Sequence, residues 1–186
     1  KLFEEWGVRD WQTPTMPNGT LQLRINRTPI ARMLFQMGVS VKKAPYKTVP
    51  HAVLQAPASI QSAFLRGLFT ADGCVYDGEK HRYVGLGSAS RELLLGVQQM
   101  LLAQGIFSRI YATRRSHPSF SYVRKDGTPV TYSSHDMYDL RITGISIAHF
   151  KERIGFLTEK KQVKLQNLIA EHDFYRTNDD VVHIKE

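Results

Sequence analysis

Leu65-Arg66-Gly67-Leu68-Phe69-Thr70-Ala71-Asp72-Gly73 is the stretch whose reading decides the fold of this 186-residue chain. It reads as an apolar helix ended by an acid and a glycine. Gly67 and Ala71 are four residues apart, so they share a face and let a second helix approach closely. Asp72 falls at the helix C-terminus, where the macrodipole is negative and a carboxylate costs roughly 0.3–1 kcal/mol. Gly73 stands where a glycine commonly follows a helix end. An acid in that place calls for a positive group to compensate it, a divalent metal for example. The plain alternative is a helix end bathed in water.

Outward from this stretch the pattern alternates helices and strands. Ser59 is the expected N-cap of the helix, with Ile60, Phe64, Leu68 and Ala71 as its apolar stripe. Before it, residues 21–26 read as a strand and 28–39 as a helix with Pro29 in its first turn. Residues 40–57, with three prolines, read as a connecting loop. After it, 74–76 and 82–88 form a hairpin around Asp77-Gly78. Ser90 caps a helix reaching Gln104, with Leu93, Leu94, Val97, Met100 and Leu101 inward and Gly105 ending it. Strands follow at 107–114 and 138–143. Between them 121–124 and 130–133 flank Lys125-Asp126-Gly127. Helices at 145–154 and 159–171 precede a tail with a short strand at 181–184. The complete unit reads αββαββα.

The net charge of +8 points to a polyanionic partner. Arg109, Arg114, Arg115, Arg124 and Lys125 cluster against one acid, Asp126, and are interleaved with Tyr111, Phe120 and Tyr122. Such strands suit a duplex groove, and a solvated sheet face is the other reading. Cys74 is the only cysteine, which excludes an internal disulfide or Cys-rich zinc site. No apolar run reaches membrane-spanning length, so no membrane partner is expected. The seven histidines show no paired metal spacing.

The chain also resembles itself. Set so that Leu23-Arg24-Ile25 meets Leu140-Arg141-Ile142, Ile30-Ala31 meets Ile147-Ala148, Gly38 meets Gly155 and Lys43 meets Lys160. Each copy reads as a strand running into an amphipathic helix that ends near glycine. On that spacing the partner of the 65–73 helix would precede residue 1.

Three blocks in order carry a resemblance to a known family. They are Lys47-Thr48-Val49-Pro50, the nonapeptide at 65–73, and Ser90-Arg91-Glu92-Leu93-Leu94 through Leu101-Leu102-Ala103-Gln104-Gly105-Ile106. Together they resemble the K-x-[IV]-P block, the second LAGLIDADG motif and the following L-x-x-x-G-I helix of intein-type homing endonucleases. Thr70 departs from the motif by replacing its first acid. The resemblance implies an α+β fold, with αββαββα repeats whose helices pack on one face of a curved antiparallel DNA-binding sheet. It implies a remainder of a first repeat with linker at 1–56, a complete repeat at 57–171, and a tail at 172–186 leading towards a splicing domain.

The implied function is a site-specific, metal-dependent endonuclease making double-strand breaks in double-stranded DNA. The cofactor would be Mg2+ (or Mn2+), held by Asp72 with Gly73 beside it. A second LAGLIDADG repeat, from another fragment or subunit, would complete the site through the Gly67/Ala71 face. Lys47 corresponds to the family's active-site lysine, and either Lys161 or Lys164 to its counterpart. The DNA-binding candidates are Lys80, Arg82, Arg109, Arg114, Arg115, Arg124, Lys125 and Arg141. The alternative is a non-cleaving LAGLIDADG module that holds DNA or RNA. Either function places the chain in the cytoplasm, at the nucleoid when bound to DNA.

Overall fold

The structure is a computed structural model that describes residues 2–5, 11–12, 24–25, 27–113, 119–124, 126–133, 136–172 and 174. Its contacts divide the chain into two units, 1–39 and 40–186. The first holds α1 (Leu2–Glu5), an antiparallel pair β1 (Trp11–Gln12) and β2 (Arg24–Ile25), and α2 (Thr28–Gln36), with Pro29 in the first turn. The second begins with a 3-10 turn (Ala44–Tyr46) and α3 (His51–Leu54). It continues through α4 (Ala58–Asp72), β3 (Gly73–Asp77), β4 (Arg82–Ser88) and α5 (Arg91–Ala103). Then come β5 (Arg109–Thr113), β6 (Ser119–Val123), β7 (Pro129–Ser133), β8 (Met137–Ile142), α6 (Ser146–Arg153) and α7 (Glu159–Glu171).

Four strands form one antiparallel sheet in the order β3-β4-β8-β5. Side chains alternate across a strand, so one face takes Val75, Val84, Leu86, Leu140 and Ile142, all buried. These join Leu65 and Phe69 of α4, Leu94, Val97, Met100 and Leu101 of α5, Ile147 and Phe150 of α6, and Leu165 and Leu168 of α7 in one core. All four helices thus cover the same face of the sheet. The opposite face carries Cys74, Tyr76, Tyr83, Arg109, Tyr111, Asp139 and Arg141. β6 and β7 form a separate hairpin, closed where Asp126 Oδ1 accepts from the Thr128 N–H at 3.0 Å and Gly127 adopts a positive φ. That hydrogen bond holds the Asp126 carboxyl below the usual range.

Several elements differ from the sequence reading in ways that packing explains. α4 starts at Ala58, because the Pro57 carbonyl already accepts from the Ile60 and Gln61 N–H groups. Pro57 therefore holds the N-cap and Ser59 lies inside the first turn. The buried face of α4 is Leu65 and Phe69, whose ring meets Phe150 edge-on at 4.9 Å. Phe64 and Leu68 flank that contact, while Ile60 is 53% exposed and Ala71 is exposed. Residues 40–57 are not a bare loop. Val49 is buried there, and a Cβ at Gly96 of α5 would come within 2.8 Å of it. Ser90 caps α5 as read, accepting from the Leu93 N–H at 3.1 Å. Its hydroxyl also donates to the Lys47 carbonyl at 2.5 Å, fastening the 47–50 block to α5.

The internal resemblance has a local counterpart. Gly38 follows α2 with φ 92°, and Gly155 follows α6 with φ 63°, a region that favours glycine. The Met37 N–H donates to Met33 O, as the Ile154 N–H does to Phe150 O. The tail from 175 onward, including the expected strand at 181–184, lies outside the described residues.

Candidate nucleic-acid interface

The motif helix α4 runs straight into β3. Asp72 is its last residue and is exposed. Gly73 donates its N–H to Phe69 O but is extended, with φ −79°, rather than left-handed. Its glycine is needed for clearance, since a Cβ would stand 2.5 Å from Phe69 O. A cation does compensate the negative helix end. Lys161 Nζ donates to Thr70 O at 2.6 Å, and lies 3.4 and 3.5 Å from the Phe69 and Ala71 carbonyls. An ammonium has three donors, and the carbonyls of the last helical turn, whose capacity the helix does not fill, are acceptors for them. Lys164, three residues on, is exposed, and both lysines act electrostatically on Cys74 of β3.

Thr70, the departure from the motif, uses its hydroxyl to accept from the Leu157 N–H at 2.9 Å. Arg66 Nε donates to the Ile154 carbonyl. Together with Lys161 these bonds tie the end of α4 to the segment joining α6 and α7. Lys47 has its backbone fixed by Ser90 and its side chain exposed. Among the described residues, no hydrogen bond or ion pair joins it to Asp72. The opposite side of α4 is open: Ile60, Ala63 and Ala71 are exposed, and nothing lies within 4 Å of a Cβ built on Gly67.

The outer face of the sheet gathers the basic residues. Arg109 of β5 pairs in register with Arg141 of β8, which pairs with Gly85 of β4, which pairs with Cys74 of β3. Like charges directly opposite on a sheet are destabilising. Asp139 offsets part of this, accepting from Arg141 Nε at 2.7 Å and pushing the Arg141 pKa up. The Arg141 guanidinium carbon lies 4.5 Å from the Tyr83 ring centroid and 5.0 Å from that of Tyr111. Tyr76 stacks on Tyr83 at 5.0 Å, so the aromatic row continues to the sheet edge. Partial burial pushes the Tyr83 pKa up, which keeps its hydroxyl neutral.

Lys80, His81, Arg82, Tyr83, Arg109, Tyr111, Arg141 and Thr143 enclose an open hollow of about 300 Å³. Four of the sequence-derived DNA-binding candidates thus meet in one place. Arg124 is elsewhere, exposed at the end of the β6–β7 hairpin, and Arg114, Arg115 and Lys125 lie outside the described residues. Tyr83 and Asp139 were not singled out from the sequence. Their signal is the strand register, which alternates them onto the face that carries Arg141.

Two places bear on metal binding. Asp77, Glu171 and His172 present one ligand atom each within 4.8 Å of one another. Arg82 Nε, however, stands 2.9 Å from His172 Nε2 and 3.3 Å from Asp77 Oδ1, so a guanidinium already occupies that cluster. Asp72 offers a single exposed carboxylate. That fits a hard cation that takes few protein ligands and completes its shell with water and phosphate oxygens, and does not fit a closed protein site.

A LAGLIDADG-like domain model matches residues 59–155, from the first turn of α4 to the glycine after α6. The chain belongs to the LAGLIDADG family. Its similarity extends to the replicative DNA helicase DnaB of Synechocystis sp. (strain ATCC 27184 / PCC 6803 / Kazusa), 26% identical over 181 residues, covering 94% of this chain and 19% of the helicase. It is 29% identical over 165 residues to the ribonucleoside-diphosphate reductase NrdEB subunit alpha of Bacillus subtilis (strain 168), covering 82% of this chain and 15% of that protein. The chain therefore spans less than a fifth of either relative. Among solved structures, homing endonuclease I-DmoI in complex with DNA and Ca superposes with a TM-score of 0.58 at 16% identity, covering 89% of this chain and 71% of that one. The LAGLIDADG endonuclease fold expected from the three blocks is the fold observed. No helix among the described residues is long and apolar enough to cross a membrane.

Proposed function

We propose that this LAGLIDADG domain is the DNA-cleaving part of an intein-associated homing endonuclease. It would make metal-dependent double-strand breaks once a second LAGLIDADG helix completes its site. The observation that carries this reading is the basic hollow on the outer sheet face, built on the sheet that the motif helix enters directly after Asp72. The match to small fractions of a helicase and a reductase supports the intein association. Two enzymes of unrelated chemistry sharing one segment is the pattern left by an inserted element. On this reading 1–56 is the remainder of a first repeat with its linker, which the paired glycines at 38 and 155 support.

Asp72 would hold Mg2+ (or Mn2+), with the backbone at Gly73 beside it. When bound, the metal supplies a Lewis acid for the phosphoryl oxygen and a more acidic water. Lys80 and Arg109 would hold the phosphate backbone, as would Arg114, Arg115, Arg124 and Lys125, while Arg82 lines the same hollow with its guanidinium engaged by Asp77 and His172. Lys161 fixes the end of α4 and hence the carboxylate of its last residue. Lys164 and Lys47 are exposed cations left to offset phosphate charge. The open Gly67/Ala71 side of α4 is where a second motif helix would pack, bringing a second carboxylate. The engagement of Lys161 with the helix carbonyls favours one other reading, a module that binds DNA or RNA without cutting.

Plasmid nicking separates these readings. The chain, mixed with a fragment carrying a first LAGLIDADG repeat, is expected to cut plasmids bearing candidate insertion sites in Mg2+ and not in EDTA. Asp72→Asn should abolish cutting and keep binding. Binding that never leads to cutting in any assembly, with Asp72→Asn like wild type, would establish the non-cleaving module instead.

A further inference from the structure

We propose that Arg141 is a guanine-reading, specificity-determining residue of this surface, held in its reading pose by Asp139, Tyr83 and Tyr111. The proposal rests on the DNA-binding reading above and goes further, since it distinguishes Arg141 from Lys80 and Arg109 of the same hollow by what each is built to contact.

Arginine meets guanine through two parallel N–H donors aimed at O6 and N7 in the major groove. That contact demands a guanidinium fixed in place, whereas a phosphate accepts a mobile cation from many directions. Arg141 is fixed. Its Nε donates to Asp139 Oδ2 at 2.7 Å, which orients the group, and its Nη atoms donate to no other described residue. Tyr83 on one neighbouring strand and Tyr111 on the other flank the guanidinium carbon at 4.5 and 5.0 Å. β8 lies between β4 and β5, so this side chain rises from the interior of the sheet rather than its rim. It remains 33% exposed. Ordering it before DNA arrives removes much of the entropic cost of reading a base.

The charge arrangement separates base from phosphate. Asp139 sits against Arg141 and cancels much of its attraction for an anion, while the directional donors survive. A carboxylate beside the cation also repels an approaching phosphate. Lys80 and Arg109 line the same hollow, are exposed, and have no such acid in hydrogen-bond contact among the described residues. They suit the backbone, and Arg141 suits the base edge.

The test is selection of bound duplexes from a randomised double-stranded DNA library, using the full 186-residue chain. Wild type, Arg141→Lys, Arg141→Ala, Asp139→Asn and Lys80→Ala are compared, each checked for folding by circular dichroism. Wild type should enrich guanine at a defined position. Both Arg141 variants should lose that preference, by roughly 5- to 150-fold for a bidentate contact, and keep the preferences at other positions. Asp139→Asn should weaken it. Lys80→Ala should lower affinity evenly across sequences, with a salt slope smaller by about one, and leave the base profile unchanged.

An unchanged profile in both Arg141 variants, with the salt slope reduced as for Lys80→Ala, would make Arg141 a phosphate contact and overturn the proposal. Failure of wild type to retain any duplex at low salt would overturn the DNA-binding reading itself, and this proposal with it.

Discussion

The two faces of the β3-β4-β8-β5 sheet follow different rules, and adjacent residues of β8 show it. Leu140 points into the core and has no exposed surface. Arg141 points out, opposite another arginine and between two tyrosines. On the inner face the buried residues are what packing requires, aliphatic side chains meeting others from four helices. On the outer face packing requires almost nothing, yet the residues are not the mixed small polar groups of a merely solvated sheet. They include a like-charge pair, a stacked aromatic row and a buttressing carboxylate. Such a pair suits the anionic ligand proposed for this surface.

The comparison is broken if the two faces respond alike to truncation. Leu140→Ala should lower unfolding stability by about 2–5 kcal/mol in urea titration, with a cavity left in the core. Arg141→Ala, one residue on, should cost about 1 kcal/mol or less, because the group is partly solvated. Equal losses would mean that Arg141 is a structural element of the sheet. Lys161→Ala tests the joint between motif helix and α7. Removing a cation from three helix-end carbonyls should cost about 1–2 kcal/mol by the same titration. No change would show that the helix end does without its cap.

Cys74, on the outer face near Asp72, is a built-in probe and carries the smallest expected effect. Partial burial and the Asp139 carboxylate push its thiol pKa up, so at pH 8 it should alkylate more slowly in the folded chain than after denaturation. Duplex DNA should slow alkylation further, read by mass spectrometry. Equal rates with and without bound DNA would place the nucleic acid elsewhere.

What could be read from the sequence was local. The cap at Ser90, the end of its helix at Gly105, the bounds of α7 and the hairpin at Asp77-Gly78 follow from neighbouring residues, and all appear in the structure. The family blocks supplied the fold class. What was hidden depends on register and long-range packing. Lys161 reaches Thr70 across 91 residues, and nothing in either segment announces the bond. Arg109, Tyr83 and Arg141 come from three separated strands, so their meeting needs the pairing of β4, β8 and β5. The stripe on α4 was read one position off because Leu65 and Phe69 compete with Phe64 and Leu68, and only Phe150 decides which pair turns inward. Gly73 does follow the end of α4, but the reason for a glycine there is the close Phe69 carbonyl and not a left-handed turn.

The measurement closest to the central claim is duplex DNA affinity across a salt series for wild type and for Lys80→Ala/Arg109→Ala. If the outer face is the DNA surface, wild type binds with a steep salt dependence and the double variant loses about two from the slope, with no loss of stability. Affinity and slope untouched by the double substitution, in a folded protein, would contradict the account and move the DNA to another surface.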